Sequence, residues 1–374
     1  MLLIEADGKA LFAAAGVPVP PGRLVRAGAD AFATQGPDLP GAGPWMVKAQ
    51  VPAGERGKAG LIRRCADAVA VRAALHDLLG ATHKGHRVED CLIEPVIAGQ
   101  EQYLALMLDP AGYGVRLIAH PHGGIDVAAA GALTGIVCAP DLPAIEAAIA
   151  RTITHPASAA AAGALARLLV ARELMLAEIN PLFVTADACV AGDAKVVIDL
   201  NALPRQPGLA ALIAARPETY ADAARKLASG FDYVEIDPHG TIGLLTTGAG
   251  LSMMLIDELV ARGAHPLNFC DIRTSMLRGS PARIIAALGW MTARPSVRVV
   301  LVNIFAGITD LGEFAALLAD ALAQAPDLRV PVVARLIGRG AAEARAILAE
   351  RAPAVVVEDD LSAALARVAL AVAA

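Results

Sequence analysis

The stretch VKAQVPAGERGKAG, residues 47–60, sets the reading of the chain. A β-patterned segment, WMVKAQV (45–51), carries Lys48 near its end, and the loop AGERGKAG follows. Gly54 and Gly57 let the backbone approach phosphate oxygens closely, while Lys48 and Arg56 supply opposing charge. No GxxxxGK[ST] pattern occurs, so this is not a Walker A loop. A strand lysine followed by a glycine loop therefore points to phosphate held in another kind of fold.

Two more stretches of the first half belong with it. LIEPVIAGQE (92–101) is an apolar strand running into a polar edge, the shape of an adenine slot with Glu101 placed for a ribose. EINPL (178–182) and VVID (196–199) lie on two strands of the hairpin type. Their Asn180 and Asp199 offer hard oxygen ligands suited to Mg²⁺, which binds few protein groups together with nucleotide phosphates. A glycine loop can be a simple turn and a strand-end aspartate a cap. The order of all three along the chain is what makes the combination specific.

At 374 residues the chain has room for two or three domains. Apolar residues reach 56% but aromatics only 3%, so the cores must come from Val, Ile, Leu and Ala, in helices laid on sheets. A net charge of −5 without a long basic run argues against nucleic acid as a partner. The longest uncharged run, 238–256, holds four glycines, a histidine and a proline, and is no membrane span. No basic segment with an apolar core opens the chain, so a cytoplasmic protein is expected. The five cysteines, odd in number and without a CxxC pair, read as reduced thiols.

From about residue 239 strands and helices alternate. Continuous apolar runs, VVLVNIF (299–305) and VPVVARL (330–336), mark strands buried on both faces. Repeated βα units imply a doubly wound parallel sheet with ligands at the carboxyl ends of its strands. Glycines cluster there, at 248–250 and at 307. In TTGAGL (246–251) a strand turns into a helix whose amino-terminal amides can hold an anion. The linker is expected within 204–238, giving domains 1–235 and 236–374.

GPWMVKAQVPAGERGKAG (43–60), AEINPLFVT (177–185), NALPRQPGL (201–209), TTGAGL and VLVNIFAGI (300–308) together resemble the β subunits of ADP- or GDP-forming succinyl-CoA synthetases and the related malate–CoA ligases. The resemblance covers essentially the whole chain. It implies an N-terminal ATP-grasp fold followed by a flavodoxin-like domain. It also implies nucleotide contacts from Lys48, Arg56, Glu94 and Glu101, and Mg²⁺ at Asn180 and Asp199. ATP, or GTP, would phosphorylate a histidine of a partner α-type subunit. The phosphate would pass to a carboxylic acid, and CoA thiolate would displace it. Acid carboxylate and phosphohistidine loop would meet at Thr247, Gly248, Ala249 and Gly250 and at Ala306, Gly307 and Ile308. His120 and His122 are tempting catalytic candidates, yet they fall where the family has an ordinary loop.

Two departures stand out. The family's NFLDVGGGA is replaced by NFCDIRTSMLRGSPARI (268–284), which brings in Arg273 and Arg278. These either face water or pair with a second anionic group of the substrate. Glu55 stands where relatives have glycine; it is expected to point outward or to pair with Arg56 or Lys58, because a carboxylate beside a triphosphate repels it. A carboxylate–amine ligase of ATP-grasp type and a non-catalytic nucleotide-binding subunit are the competing readings. The C-terminal sheet domain weighs against the first, and retention of Lys48, Arg56, Asn180 and Asp199 against the second.

Overall fold

The computed structural model describes residues 1–28, 38–124, 135–325 and 328–374. The chain divides into two compact units, Met1–Tyr220 and Ala221–Ala374. The expected boundary at 235/236 instead falls at the end of a strand inside the second unit.

The first unit opens with helix α1 (Glu5–Ala14), which ends at Gly16 with a φ of +89°. Strands β1 (Arg23–Arg26), β2 (Trp45–Gln50) and β3 (Ile62–Cys65) lead to helix α2 (Ala68–Leu78), capped by the Asp67 carboxylate. The short hairpin β4 (Thr82–His83) and β5 (His86–Arg87) precedes β6 (Asp90–Pro95). These strands form an antiparallel sheet in the order β1-β6-β2-β3, with β4 and β5 paired separately. Val71, Leu75 and Leu78 of α2 pack on Val47, Ala49 and Ile93 of that sheet.

A second antiparallel sheet starts with β7 (Gln100–Asp109), β8 (Gly114–His120) and β9 (Ile136–Cys138). Helices α3 (Leu142–Thr152) and α4 (Pro156–Ala171) pack against it, followed by β10 (Leu174–Val184), β11 (Cys189–Ala191) and β12 (Lys195–Ile198). Its order is β11-β10-β7-β8-β9, and β12 also pairs with β10. Helix α4 begins at Pro156 and runs for 16 residues. Proline at its first position and a run of alanines extend it to His155, whose ring caps it. Helix α5 (Pro207–Ala214) closes the unit.

The second unit contains α6 (Ala221–Ser229), β13 (Asp232–Glu235), β14 (Ile242–Thr246), α7 (Ala249–Ala261), β15 (Asn268–Asp271) and α8 (Ala282–Thr292). It continues with β16 (Val299–Ala306), α9 (Leu311–Ala323), β17 (Val332–Gly338), α10 (Ala341–Arg351), β18 (Val356–Val357) and α11 (Leu361–Ala373). Strands β14-β16-β17-β18 form a wholly parallel sheet. Helices α8, α9 and α10 cover one face, with Leu288, Phe314 and Leu348 among the buried residues. Helices α7 and α11 cover the other through Leu255, Leu259 and Val368. This is the doubly wound arrangement expected from the alternation. Two strands stand apart from it: β15 pairs antiparallel with β13. The buried carboxamide of Asn268 joins β15 to β14 by bonding both the N–H and the carbonyl of Leu244, each at 2.9 Å.

Candidate functional site

The first unit holds a cleft of about 870 Å³ between its two sheets. Strand β2 delivers Lys48, the following loop Gly54, Arg56, Gly57 and Lys58, and β10 delivers Glu178 and Asn180. Glu94, Glu101 and Asp193 also line it. A Cβ added at Gly54 would meet nothing within 4 Å, so the missing side chain there leaves room in the cleft rather than easing packing.

The cations of this cleft are engaged in a buried charge cluster. Lys48 Nζ bonds Glu5 Oε1 at 2.6 Å and the Gly192 carbonyl at 2.7 Å, and lies 2.8 Å from Glu94 Oε2. Lys9 Nζ, from α1, bonds both Glu94 oxygens at 2.6 and 2.7 Å and shares the Gly192 carbonyl. Arg56 Nη1 sits 2.9 Å from Glu5 Oε2, close but off the hydrogen-bonding axis, and donates to the Ala49 carbonyl at 3.1 Å. Arg56 Nη2 bonds both oxygens of Asp193 at 3.1 and 3.2 Å. Three cations thus meet three carboxylates.

Burial alone would raise the Glu5 carboxyl, but Lys48, Lys9 and Arg56 outweigh it and hold it well below the usual range. Burial would likewise lower the Lys48 ammonium, and Glu5 and Glu94 raise it instead. Both groups are therefore charged at neutral pH.

Most of the residues singled out in the first half meet here. Glu94 lies in the cleft, but its carboxylate is turned into the cluster onto Lys9 and Lys48 rather than standing free toward a base. Pro95, Val96, Ile97 and Phe183 form the apolar wall of the cleft, with Glu101 exposed beside it. Asn180 Oδ1 accepts from the Gly124 N–H at 2.6 Å, leaving that oxygen a second lone pair.

Asp199 is the exception. It lies beyond the end of β12, bonds the Asn201 N–H at 2.8 Å and does not line the cleft. The carboxylate that joins Asn180 in the cleft is Asp193, in the turn between β11 and β12. Pairing with β10 points the far end of β12 away and brings the turn in. GDAK (192–195), an acid in a tight connection between two short strands, is the sequence signal that marks it. Asn180 and Asp193 together offer an amide and a carboxylate oxygen, and a magnesium ion completed by phosphates and water fits that donor set. Among the described residues no group of three or more His, Cys, Asp or Glu forms a self-sufficient metal cage.

Glu55 takes a φ of +65° and pairs with Lys84 at the tip of the β4–β5 hairpin, not with Arg56 or Lys58. The same hairpin holds the loop through His83, whose Nε2 lies 3.0 Å from the Gly54 carbonyl. His120 and His122 contact each other, His120 Nδ1 accepting from the His122 N–H at 3.2 Å, and neither lines the cleft.

In the second unit, Thr247, Gly248, Ala249 and Gly250 follow β14, and Gly307 and Ile308 follow Ala306 at the end of β16. The β14 and β16 ends are adjacent, because the two strands pair in parallel. Gly248 has a φ of +82°, and its N–H bonds Asp271 Oδ1 at 3.0 Å. The rebuilt segment is ordered: Ile272, Thr274 and Leu277 are buried, and Thr274 Oγ1 meets Thr309 Oγ1 at 2.7 Å. Arg273 is left-handed and bonds Asp232 Oδ2 at 2.6 Å, so it ties the segment to β13 instead of standing free as an anion contact. Arg278 is exposed. Burial pushes the Cys91 and Cys270 thiols up to about 12, which leaves them unreactive.

Residues 2–134 match the family described as ATP-grasp domain, and residues 245–369 match CoA-ligase. The chain is 35% identical over 366 residues to the succinate–CoA ligase [ADP-forming] subunit beta of Chloroflexus aurantiacus, covering 94% of each. It is 37% identical over 325 residues to subunit beta 2 of Streptomyces coelicolor, covering 82% of this chain and 81% of that one. Against subunit beta 2 of Archaeoglobus fulgidus it is 33% identical, covering 94% and 93%. In fold it is similar to an ATP citrate lyase from Methanothrix soehngenii solved with citrate and coenzyme A, with a TM-score of 0.71 at 18% identity over 99% of both chains. Similarity at this level over nearly the full length of the relatives places the chain in the succinate–CoA ligase [ADP-forming] β-subunit family, ATP-grasp domain first and CoA-ligase domain second.

Proposed function

We propose that the chain binds ATP, or GTP, in its first unit and couples its cleavage to ADP and phosphate with thioester formation between CoA and a small mono- or dicarboxylic acid of succinate or malate type. The phosphoryl group would travel on a histidine of an α-type partner subunit, in the cytoplasm. The observation that carries the reading is the placing of Lys48, Arg56, Asn180 and Asp193 in one cleft, from four separate segments of the chain. Lys48 and Arg56 would bind phosphate oxygens, and the apolar wall beside Glu101 would take the base. Asn180 and Asp193 would hold a magnesium ion, which would offset charge on the transferring phosphoryl group. The loops after β14 and β16 would receive the acid and the partner's phosphorylated segment.

The test is co-expression with an α-type subunit carrying a histidine loop and a CoA-binding domain. CoA-dependent ADP release is then measured against a panel of small acids. Turnover with at least one acid is expected; none with any of them refutes the reading.

A further inference from the structure

We propose that Asp193 masks Arg56 and thereby makes the cleft select a metal-chelated nucleotide over a free one. This rests on the reading of the cleft as the nucleotide site. The cluster carries three positive charges, on Lys9, Lys48 and Arg56, against three negative ones, on Glu5, Glu94 and Asp193. A bare di- or triphosphate therefore meets, in this cluster, cations that are already neutralised; Lys195, paired with Glu178, and Lys58 of the loop line the cleft outside it. It gains little unless one carboxylate gives way.

The three carboxylates differ in their freedom to do so. The side chains of Glu5 and Glu94 are 0% and 3% exposed, and each contacts more than one cation. Turning either away would leave buried charge uncompensated, which is strongly unfavourable. Asp193 is 29% exposed, touches Arg56 alone among the three cations and is held otherwise by the Ala194 N–H. It is also the carboxylate that shares the cleft with Asn180.

Asp193 can therefore leave the buried Arg56 for a divalent cation while Glu5 stays 2.9 Å from the guanidinium and phosphate takes the vacated place. That exchange frees Arg56 Nη2 toward the phosphates. The cation supplies a new partner for Asp193, and the nucleotide supplies one for Arg56. Neither would bind as well without the other.

The test is calorimetric binding of ADP to the full chain, in EDTA and in excess Mg²⁺, for wild type, Asp193→Asn, Asp193→Ser and Asn180→Ala. Removing the masking charge should tighten metal-free ADP by about fivefold or more, the scale of one charge-assisted hydrogen bond to a partly exposed group. The further gain from Mg²⁺ should shrink. Asn180→Ala should lose part of the gain from Mg²⁺. Unchanged or weaker metal-free binding in both Asp193 variants overturns the proposal, as does failure of both to fold, since Asp193 would then be a structural member of the cluster. If wild type binds no ADP even with Mg²⁺, the reading of the cleft itself fails, and this inference with it.

Discussion

Glu55 occupies a backbone conformation that favours glycine, at φ +65°, on a loop that lines the cleft of the first unit. Its carboxylate is drawn outward to Lys84, which lowers its pKa through a hydrogen bond and through charge. The pair is exposed and loosely held, so Lys84 offsets the Glu55 charge only in part and a weak repulsion of phosphate is left. Replacing Glu55 by Gly or by Gln should lower KM for ATP by about two- to fivefold, with kcat nearly unchanged. If Gly lowers KM and Gln does not, the cause is backbone strain rather than charge. This residue was legible because it broke a glycine pattern. Lys48 and Arg56 were legible because their charge sits beside a glycine loop. Asp193 was not picked out although GDAK marks its turn, because Asp199, just past the end of β12, competes as a second acid next to a short strand. Only the pairing of β10 with both β11 and β12 decides which of the two faces the cleft.

At the scale of elements, Glu5 joins parts of the first unit that are distant in sequence. From the first turn of α1 it contacts Lys9 on its own helix, Lys48 on β2 and Arg56 in the following loop. Its pKa is lowered in the folded state, so its contribution to stability is present above the ordinary glutamate range, about 4.3, and is lost as pH falls through the lower folded value. Lys48, raised in turn, loses its contribution only on the alkaline side of the ordinary lysine range. Glu5→Gln should therefore cost about 3–5 kcal/mol at pH 7, the penalty for breaking a buried pair from one side. Thermal melts of both proteins from pH 3 to 8 should show the gap narrowing below about pH 4; a gap constant with pH would assign the loss to packing instead. The role of Glu5 was not readable from sequence, since two of its three partners, Lys48 and Arg56, lie 43 or more residues away on other elements. Strand β15 falls outside the parallel order that the alternation of strands and helices implies. Its link to β14 runs through the Asn268 carboxamide, a contact no periodicity reveals.

At the scale of the whole molecule, the two family matches fall one in each unit, at 2–134 and 245–369, while Asn180 and Asp193 lie between them in sequence. The second unit leaves large apolar side chains uncovered at the carboxyl ends of its strands. Ile308 is 89% exposed and Phe305 56%, both beside the end of β16. Met276, 43% exposed, belongs to the segment that Thr274 ties to the same loop through Thr309. Adjacent apolar residues of this size, on loops that the buried Thr274 and Leu277 hold in place, suit a surface that meets a partner subunit. Ile308→Asp should then reduce co-purification of an α-type subunit by about tenfold, the loss of one well-buried anchor at an interface. ADP binding in the first unit should be unaffected, because the described residues that line that cleft all belong to the first unit. Co-purification at the wild-type level would remove Ile308 from the interface. Loss of ADP binding as well would mean that the substitution had damaged the fold rather than the contact, and Ile308→Ser, which removes the apolar surface without adding charge, separates the two.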